Sequence, residues 1–286
     1  EDLADASLQR GDPELRDKAL EKLKQMLAAD APSDVAMQGL VTLGRALPAK
    51  FDRTEFLVLV RPLSGSDHAQ VRKLAVGVLP GVGATEADLD AIIGMVADEN
   101  AEVRAAVGGA LIQIGQGKHG ERVIPALLKI LDDPEYRVVE QTLRSMWGQY
   151  ASPELNARLI ELSHHPRHHG HTIYHALSTQ RSKSQPVCER LVEELADPDW
   201  NNSGRAAWGL TYGVVDDAKP VVEAGLLKAL PQETNAYTRK QEFRALRGVA
   251  TEKSRAYLQS VVDSKLETEE SKDAARQILA DLDAAS

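Results

Sequence analysis

The sequence predicts an all-α protein, an array of about eight helix pairs, from three observations. One apolar position recurs at Leu79, Leu111, Leu143, Leu177, Leu210, Leu246 and Ile278, with gaps of 32, 32, 34, 33, 36 and 32 residues. Such a period marks stacked units, each too thin to bury its own apolar face. Around these anchors, apolar residues follow the i, i+3, i+4, i+7 spacing of amphipathic helices. Aromatics make up only 4% of the chain, which suits thin helix-on-helix layers of Ala, Leu and Val. No segment reads convincingly as a strand.

The clearest unit runs from Asp98 to Gly115, DENAEVRAAVGGALIQIG. Val103, Val107, Leu111 and Ile114 form one buried stripe, and the small Ala106, Gly108 and Ala110 let a neighbouring helix approach. Asp98 and Asn100 can cap the helix start, and Gly115 suits a left-handed residue at its end. Arg104 calls for an acidic partner in a neighbouring turn. The segment Ser66 to Gly83 keeps Val71-Arg72, Ala75 and Leu79 in register, and Asp132 to Tyr150 keeps Arg137 and Leu143 with a shift of one residue. The copies around Leu210 and Ile278 keep only the apolar spacing. The pattern resembles the second helix of a HEAT repeat. Its short period is similar to the compact HEAT-like repeats of phycobilisome lyases and bacterial scaffold proteins. The resemblance implies a right-handed α/α superhelix whose second helices line a concave face, and it is nearly silent on activity.

Taken in order, the chain reads as one repeat domain, 1–286, with a capping helix at 1–11. Repeats follow at about 12–50, 51–83, 84–115, 116–150, 151–181, 182–215, 216–250 and 251–286. In the first, Pro13 takes a favoured first helical position. Leu15, Ala19, Leu23 and Leu27 then face the partner helix Val35 to Leu47. The later pairs are 52–64 with 67–82, 85–97 with 100–114, 119–132 with 134–150, and 152–164 with 167–180. After them come 184–196 with 200–214, 217–230 with 235–250, and 252–264 with 268–282. Breakers mark the joints: Asp-Asp-Pro at 132–134, Ser-Pro at 152–153, Asp-Pro at 197–198 and Leu-Pro at 230–231.

A formal net charge of −9 argues against general nucleic-acid binding, which needs a basic surface to release counterions. No apolar run approaches the roughly 18–20 residues of a membrane span, so no membrane insertion is expected. The one cysteine, Cys188, excludes an internal disulfide. It precedes Leu191, Val192 and Leu195 at helical spacing and reads as core. Asp and Glu read as caps and solubilising charge. With Glu1 in place of an initiator methionine, a trimmed, processed or excised chain is expected, and the compartment stays open.

The outward stripe of the second helices carries the functional signal. It runs Lys73, Gly77 and Gly81, then Ala105, Gly109 and Gln113, then Gln141 and Ser145. Beyond these it changes character, to His171, His175 and Thr179, then Trp208 and Tyr212, then Lys240, Arg244 and Gly248. Exposed aromatics beside arginine anchor protein interfaces, so His171, His175, Trp208, Tyr212, Lys240 and Arg244 are the candidate partner-binding residues. Spaced i and i+4, Trp208 and Tyr212 are expected on one helix face.

Six of the eight histidines fall in HHPRHHGHTIYH. Of these, His168, His171 and His175 share a helix face and have the spacing of a three-imidazole metal site, but no Cys or carboxylate pair nearby completes one, and a polar turn with a half-exposed helix face also accounts for them. No cofactor is expected beyond adventitious zinc or nickel there. Deoxyhypusine hydroxylase, a HEAT-repeat metalloenzyme, holds its iron with His-Glu pairs, and this chain has no His-Glu dipeptide. HEAT-repeat DNA glycosylases use a basic groove, and here only Lys240, Arg244 and Arg247 form a basic patch. The leading expectation is a non-catalytic scaffold that binds a protein, or another domain of a longer parent, along its concave face. The alternative is a HEAT-like lyase or metal-dependent activity centred on 164–175.

Overall fold

In the computed structural model, the described residues are 13–46, 53–115, 120–146, 152–164 and 171–285. The expected capping helix and His168 lie outside them. Among these residues the protein forms sixteen α-helices in eight consecutive pairs. The chain divides into two compact units, Glu1–Ser145 and Met146–Ser286.

The first unit pairs α1 (Pro13–Met26) with α2 (Ser33–Ala46) and α3 (Arg53–Leu63) with α4 (Ala69–Val78). It continues with α5 (Glu86–Gly94) and α6 (Ala101–Ile114), then α7 (Gly120–Leu131) and α8 (Tyr136–Ser145). α6 shows why the sequence folds this way. The Asn100 side chain accepts from the amides of Glu102 and Val103, which would otherwise lack partners at the helix start. Val103, Val107 and Leu111 are wholly buried. Gly108 is required by its neighbour, because a Cβ there would overlap the Thr142 side chain of α8. Gly115 departs from expectation: its φ of −79° is not left-handed, and the left-handed glycine belongs to the preceding repeat, at Gly83 (φ +90°). Leu15 is also half exposed, whereas Leu23 and Leu27 are buried as expected.

Arginines tie the second of these repeats to the third and the third to the fourth. Arg104 donates from Nε to Asp133 Oδ2 at 2.6 Å and from Nη2 to Oδ1 at 3.0 Å, while Nη1 holds the Asp98 carbonyl at 2.8 Å. Arg72 repeats the arrangement one unit earlier, with bonds of 2.8 and 2.9 Å to Asp98 and one of 2.9 Å to the Ser66 carbonyl. Burial opposes the charges on Asp98 and Asp133. The arginines and the amides of Asn100 and Glu135 outweigh it and hold both carboxyls below their usual range. This ladder corrects the register of the fourth repeat. Asp133 bonds the Glu135 amide just as Asp98 bonds that of Asn100. Val139 therefore matches Arg104, and Met146, not Leu143, matches Leu111. The duplicated acid at Asp132-Asp133 and the exposed Arg137, which reaches Glu102 at 3.1 Å, imitate the motif in the wrong frame.

The second unit pairs α9 (Pro153–Ser163) with α10 (His171–Ser178) and α11 (Gln185–Glu194) with α12 (Trp200–Gly209). α13 (Lys219–Ala229) pairs with α14 (Ala236–Val249), and α15 (Glu252–Asp263) with α16 (Glu269–Ala285). The second helices α10, α12 and α14 pack side by side. Gly209 of α12 lies against the Ser178 backbone, where a Cβ would not fit.

Here the ladder is incomplete. Arg239 reaches Glu267 and the Glu233 carbonyl. Asp197 keeps the acidic turn, accepting the Asp199 amide at 2.7 Å, but the sequence places Gly170 where the preceding repeat would supply arginine. Burial opposes the charge on Asp197, but Glu194, the Asp199 amide and Asn202 hold its carboxyl below the usual range. Burial lifts the Glu194 carboxyl to about 7, although Arg190 lies 3.0 Å away. Several carboxylates are thus structural rather than solubilising, contrary to the sequence expectation. Glu223, buried, caps α15 through the Thr251 amide at 2.7 Å and Ser254 Oγ at 2.6 Å. Glu242 is wholly buried, and neither of its oxygens has a partner among the described residues. Burial, reinforced by Glu233 and opposed by Arg239, lifts its carboxyl to about 8.

Candidate functional site

The exposed face of α12 and α14 begins at two capped helix starts. Asp199 accepts the Asn201 amide at 2.9 Å, and Asn235 accepts the Tyr237 amide at 3.0 Å. These caps fix the first turns, where Trp200 and Tyr237, each 49% exposed, meet edge to face with centroids 6.2 Å apart. One or two turns on, Arg205 and Trp208 complete a groove of about 250 Å³ with Trp200, Asn201 and Tyr237. Arg205 Nη1 lies 2.8 Å from Nδ1 of the half-buried His175 on α10.

Trp208 is half-buried and Tyr212 exposed, and their rings meet edge to face at 5.3 Å. They do not share a helix, as their spacing suggested. α12 stops at Gly209, because the wholly buried Lys183 takes the Tyr212 carbonyl at 2.9 Å and draws the chain away. Gly213 follows at φ +70°, packed against the Arg181 carbonyl, and Lys183 and Val214 form a parallel bridge. The Lys183 ammonium also sits 4.0 Å from the Tyr212 ring centre, and burial lowers its pKa to about 8. A loop lysine thus fixes the aromatic pair.

A second groove, about 340 Å³, runs between α14 and α16, lined by Lys240, Phe243, Arg244, Arg247, Glu270 and Gln277. Lys240 meets Glu270 at 2.6 Å and Arg247 meets Asp281 at 2.7 Å. Arg244 is exposed, 3.4 Å from Gln241. The helices α10, α12 and α14 carry Arg205, Arg239, Lys240, Arg244 and Arg247, and their one carboxylate is the buried Glu242.

The structure therefore gathers Trp208 and Tyr212 beside Arg205, and Lys240 and Arg244 along the next groove. His171 opens α10. Trp200, Arg205 and Tyr237 escaped the sequence reading, which followed a single stripe down each helix. The signal for them was an aromatic residue just after a capping Asp or Asn in consecutive repeats. Of the outward stripe, Ala105 is buried. Cys188 is buried, and burial lifts its thiol to about 11, so no activated nucleophile is present there. No three His, Cys, Asp or Glu among the described residues are placed to hold a metal, and no described helix is long and apolar enough to cross a membrane.

Residues 58–147 match the family model for HEAT repeats. The crystal structure of an engineered protein matches with a TM-score of 0.55 at 17% identity, covering 98% of this chain and 77% of that one. Importin beta matches with a TM-score of 0.51 at 15% identity, covering 97% of this chain and 45% of its own. This chain thus spans less than half the length of importin beta, and both likenesses bear on the fold alone. Human deoxyhypusine hydroxylase matches with a TM-score of 0.36 at 18% identity, covering 99% of this chain and 96% of its own, too weakly to carry an argument. No curated protein matches the chain in sequence. Residues 58–147 thus carry HEAT repeats, and the described residues as a whole form an all-α, helical-repeat fold.

Proposed function

We infer that this helical-repeat protein is a non-catalytic scaffold that binds a protein, or another domain of a longer parent, through the second helices of its C-terminal unit. The observation that carries this reading is the aromatic cluster on α12, α14 and the loop after α12. Trp200, Tyr212 and Tyr237 are three of the large apolar side chains left exposed among the described residues. Rings held in fixed edge-to-face pairs lose little freedom when covered, which is why Trp and Tyr dominate interface hot spots. Repeat arrays also present such faces with little internal rearrangement. His175, Lys240 and Arg244 border the cluster, and no cofactor is part of this reading.

Cross-linking in cell extract followed by affinity capture tests it, with Trp208→Ala compared against the parent. Truncating a hot-spot Trp costs about 2 kcal/mol or more, roughly thirtyfold in affinity. The specific partner should therefore be lost while the thermal melt stays within a degree or two of the parent. Undiminished capture by Trp208→Ala with Tyr237→Ala would sink the assignment.

A further inference from the structure

The grooves at Arg205 and between α14 and α16 are both lined by cations, whereas a larger one of about 660 Å³ on the other side of Trp200 is lined by Glu193, Asp197, Glu233 and Lys228. In a protein of net charge −9, α14 exposes Lys240, Arg244 and Arg247, α12 carries the half-buried Arg205, and none of α10, α12 and α14 exposes a carboxylate among the described residues. The acids that neutralise this face come from the next element: Glu267 before α16, then Glu270 and Asp281 on it, meet Arg239, Lys240 and Arg247. Carboxylates thus reach α14 from a neighbouring segment at the last groove. One groove earlier, Arg205 lies between Trp200 and Trp208.

We propose that this face takes an extended acidic segment of a partner protein. Its carboxylates meet Arg205 and Arg244, and its aromatic or proline side chains lie on Trp200, Trp208 and Tyr237. The inference rests on the scaffold reading and adds the partner's chemistry to it. Second helices stand about 8–10 Å apart, and an extended chain advances about 3.3 Å per residue, so the carboxylates should recur about every third residue. A basic segment would meet five cations here. Nucleic acid is disfavoured because three of the cations are already matched by the chain's own acids and the net charge is negative.

Fluorescence anisotropy with a labelled peptide of about twelve residues, glutamate at every third position and Phe and Pro between, tests this on the whole chain. Its glutamine and lysine counterparts and an oligothymidine of equal length serve as competitors. The acidic peptide should bind about tenfold tighter than the glutamine peptide at low salt, a gap that narrows as salt rises. Arg244→Glu, at an exposed position, should weaken it about tenfold without moving the melt. Equal or tighter binding of the glutamine or lysine peptide, tighter binding of the oligonucleotide, or indifference to Arg244→Glu overturns the proposal. If the acidic peptide fails while Trp208→Ala still loses the captured partner, the charge assignment falls and the scaffold reading stands.

Discussion

In the N-terminal unit, Arg72 and Arg104 each bridge to the acidic turn of the following repeat. Three cations of its second helices are answered within the same layer, Lys73 and Arg137 by Glu102, and Arg144 by Glu140. Among the described residues of the C-terminal unit only Arg239 makes such a rung, and α12 and α14 expose Trp200, Tyr237, Lys240, Arg244 and Arg247 with no exposed acid of their own. The two units stack helices in the same way, yet the first uses its polar residues to hold repeats together. The second keeps pairs of that kind between α14 and α16, Lys240 with Glu270 and Arg247 with Asp281, but it has fewer rungs among its described residues and exposes Trp200, Tyr212, Tyr237 and Arg244. A face that leaves such side chains exposed is the one suited to a ligand.

The largest expected effect tests the shared packing. Leu111→Ala should cost about 2–5 kcal/mol, because the side chain is wholly buried and α6 sits in a close-packed layer. A urea midpoint equal to the parent's would show that the repeat does not depend on this anchor. The ladder comes next. Asp133→Ala strands the Arg104 guanidinium and should cost about 3 kcal/mol. Asp197→Ala, which meets no arginine rung among the described residues, should lose its bonds from the Asp199 amide and Asn202 and cost about 1 kcal/mol. Equal losses in the two variants would erase the contrast between the units.

A smaller effect separates the units by pH. Glu242 has a folded-state pKa raised from 4.5 to about 8. Its contribution to stability is therefore fully present below about pH 4.5 and lost as pH rises through about 8. Glu194 behaves alike between 4.5 and about 7. The carboxyls of Asp98 and Asp133 are shifted the other way, so their contribution is present above 3.8 and lost as pH falls below it. Glu242→Gln should match the parent's melting temperature in acid and exceed it by several degrees in mild alkali. A variant-to-parent difference that stays constant across that range would mean the buried carboxyl does not titrate as described. The smallest expected shift is that of Trp208→Ala on the melt, within about 0.5 kcal/mol; a large loss would make the ring structural.

Much of this was legible in the sequence. The helix pairs, the buried valines and leucines and the acidic partner of Arg104 all follow from residues that repeat. What was hidden depends on single distant residues. Nothing in GRAAWGLTYG reveals that Lys183, 29 residues before Tyr212, ends the helix early. Glu194 and Glu242 look like any surface glutamates, since spacing alone cannot show that both are buried. The register slip at Leu143 arose because Asp132 and Arg137 copy the rung's letters one and two residues ahead of the true positions, Asp133 and Val139.

The rungs also bear on how the chain acquires its structure. Each joins residues close in sequence: 26 apart for Arg72 and Asp98, 29 for Arg104 and Asp133, 28 for Arg239 and Glu267. Loops of that length close quickly, and contacts confined to adjacent repeats give a low contact order, which favours rapid folding. Each repeat can be fastened as soon as the next turn has left the ribosome. Where the rung is missing, ahead of Asp197, the amides of α10 and α12 should exchange with solvent sooner than those of α4 and α6.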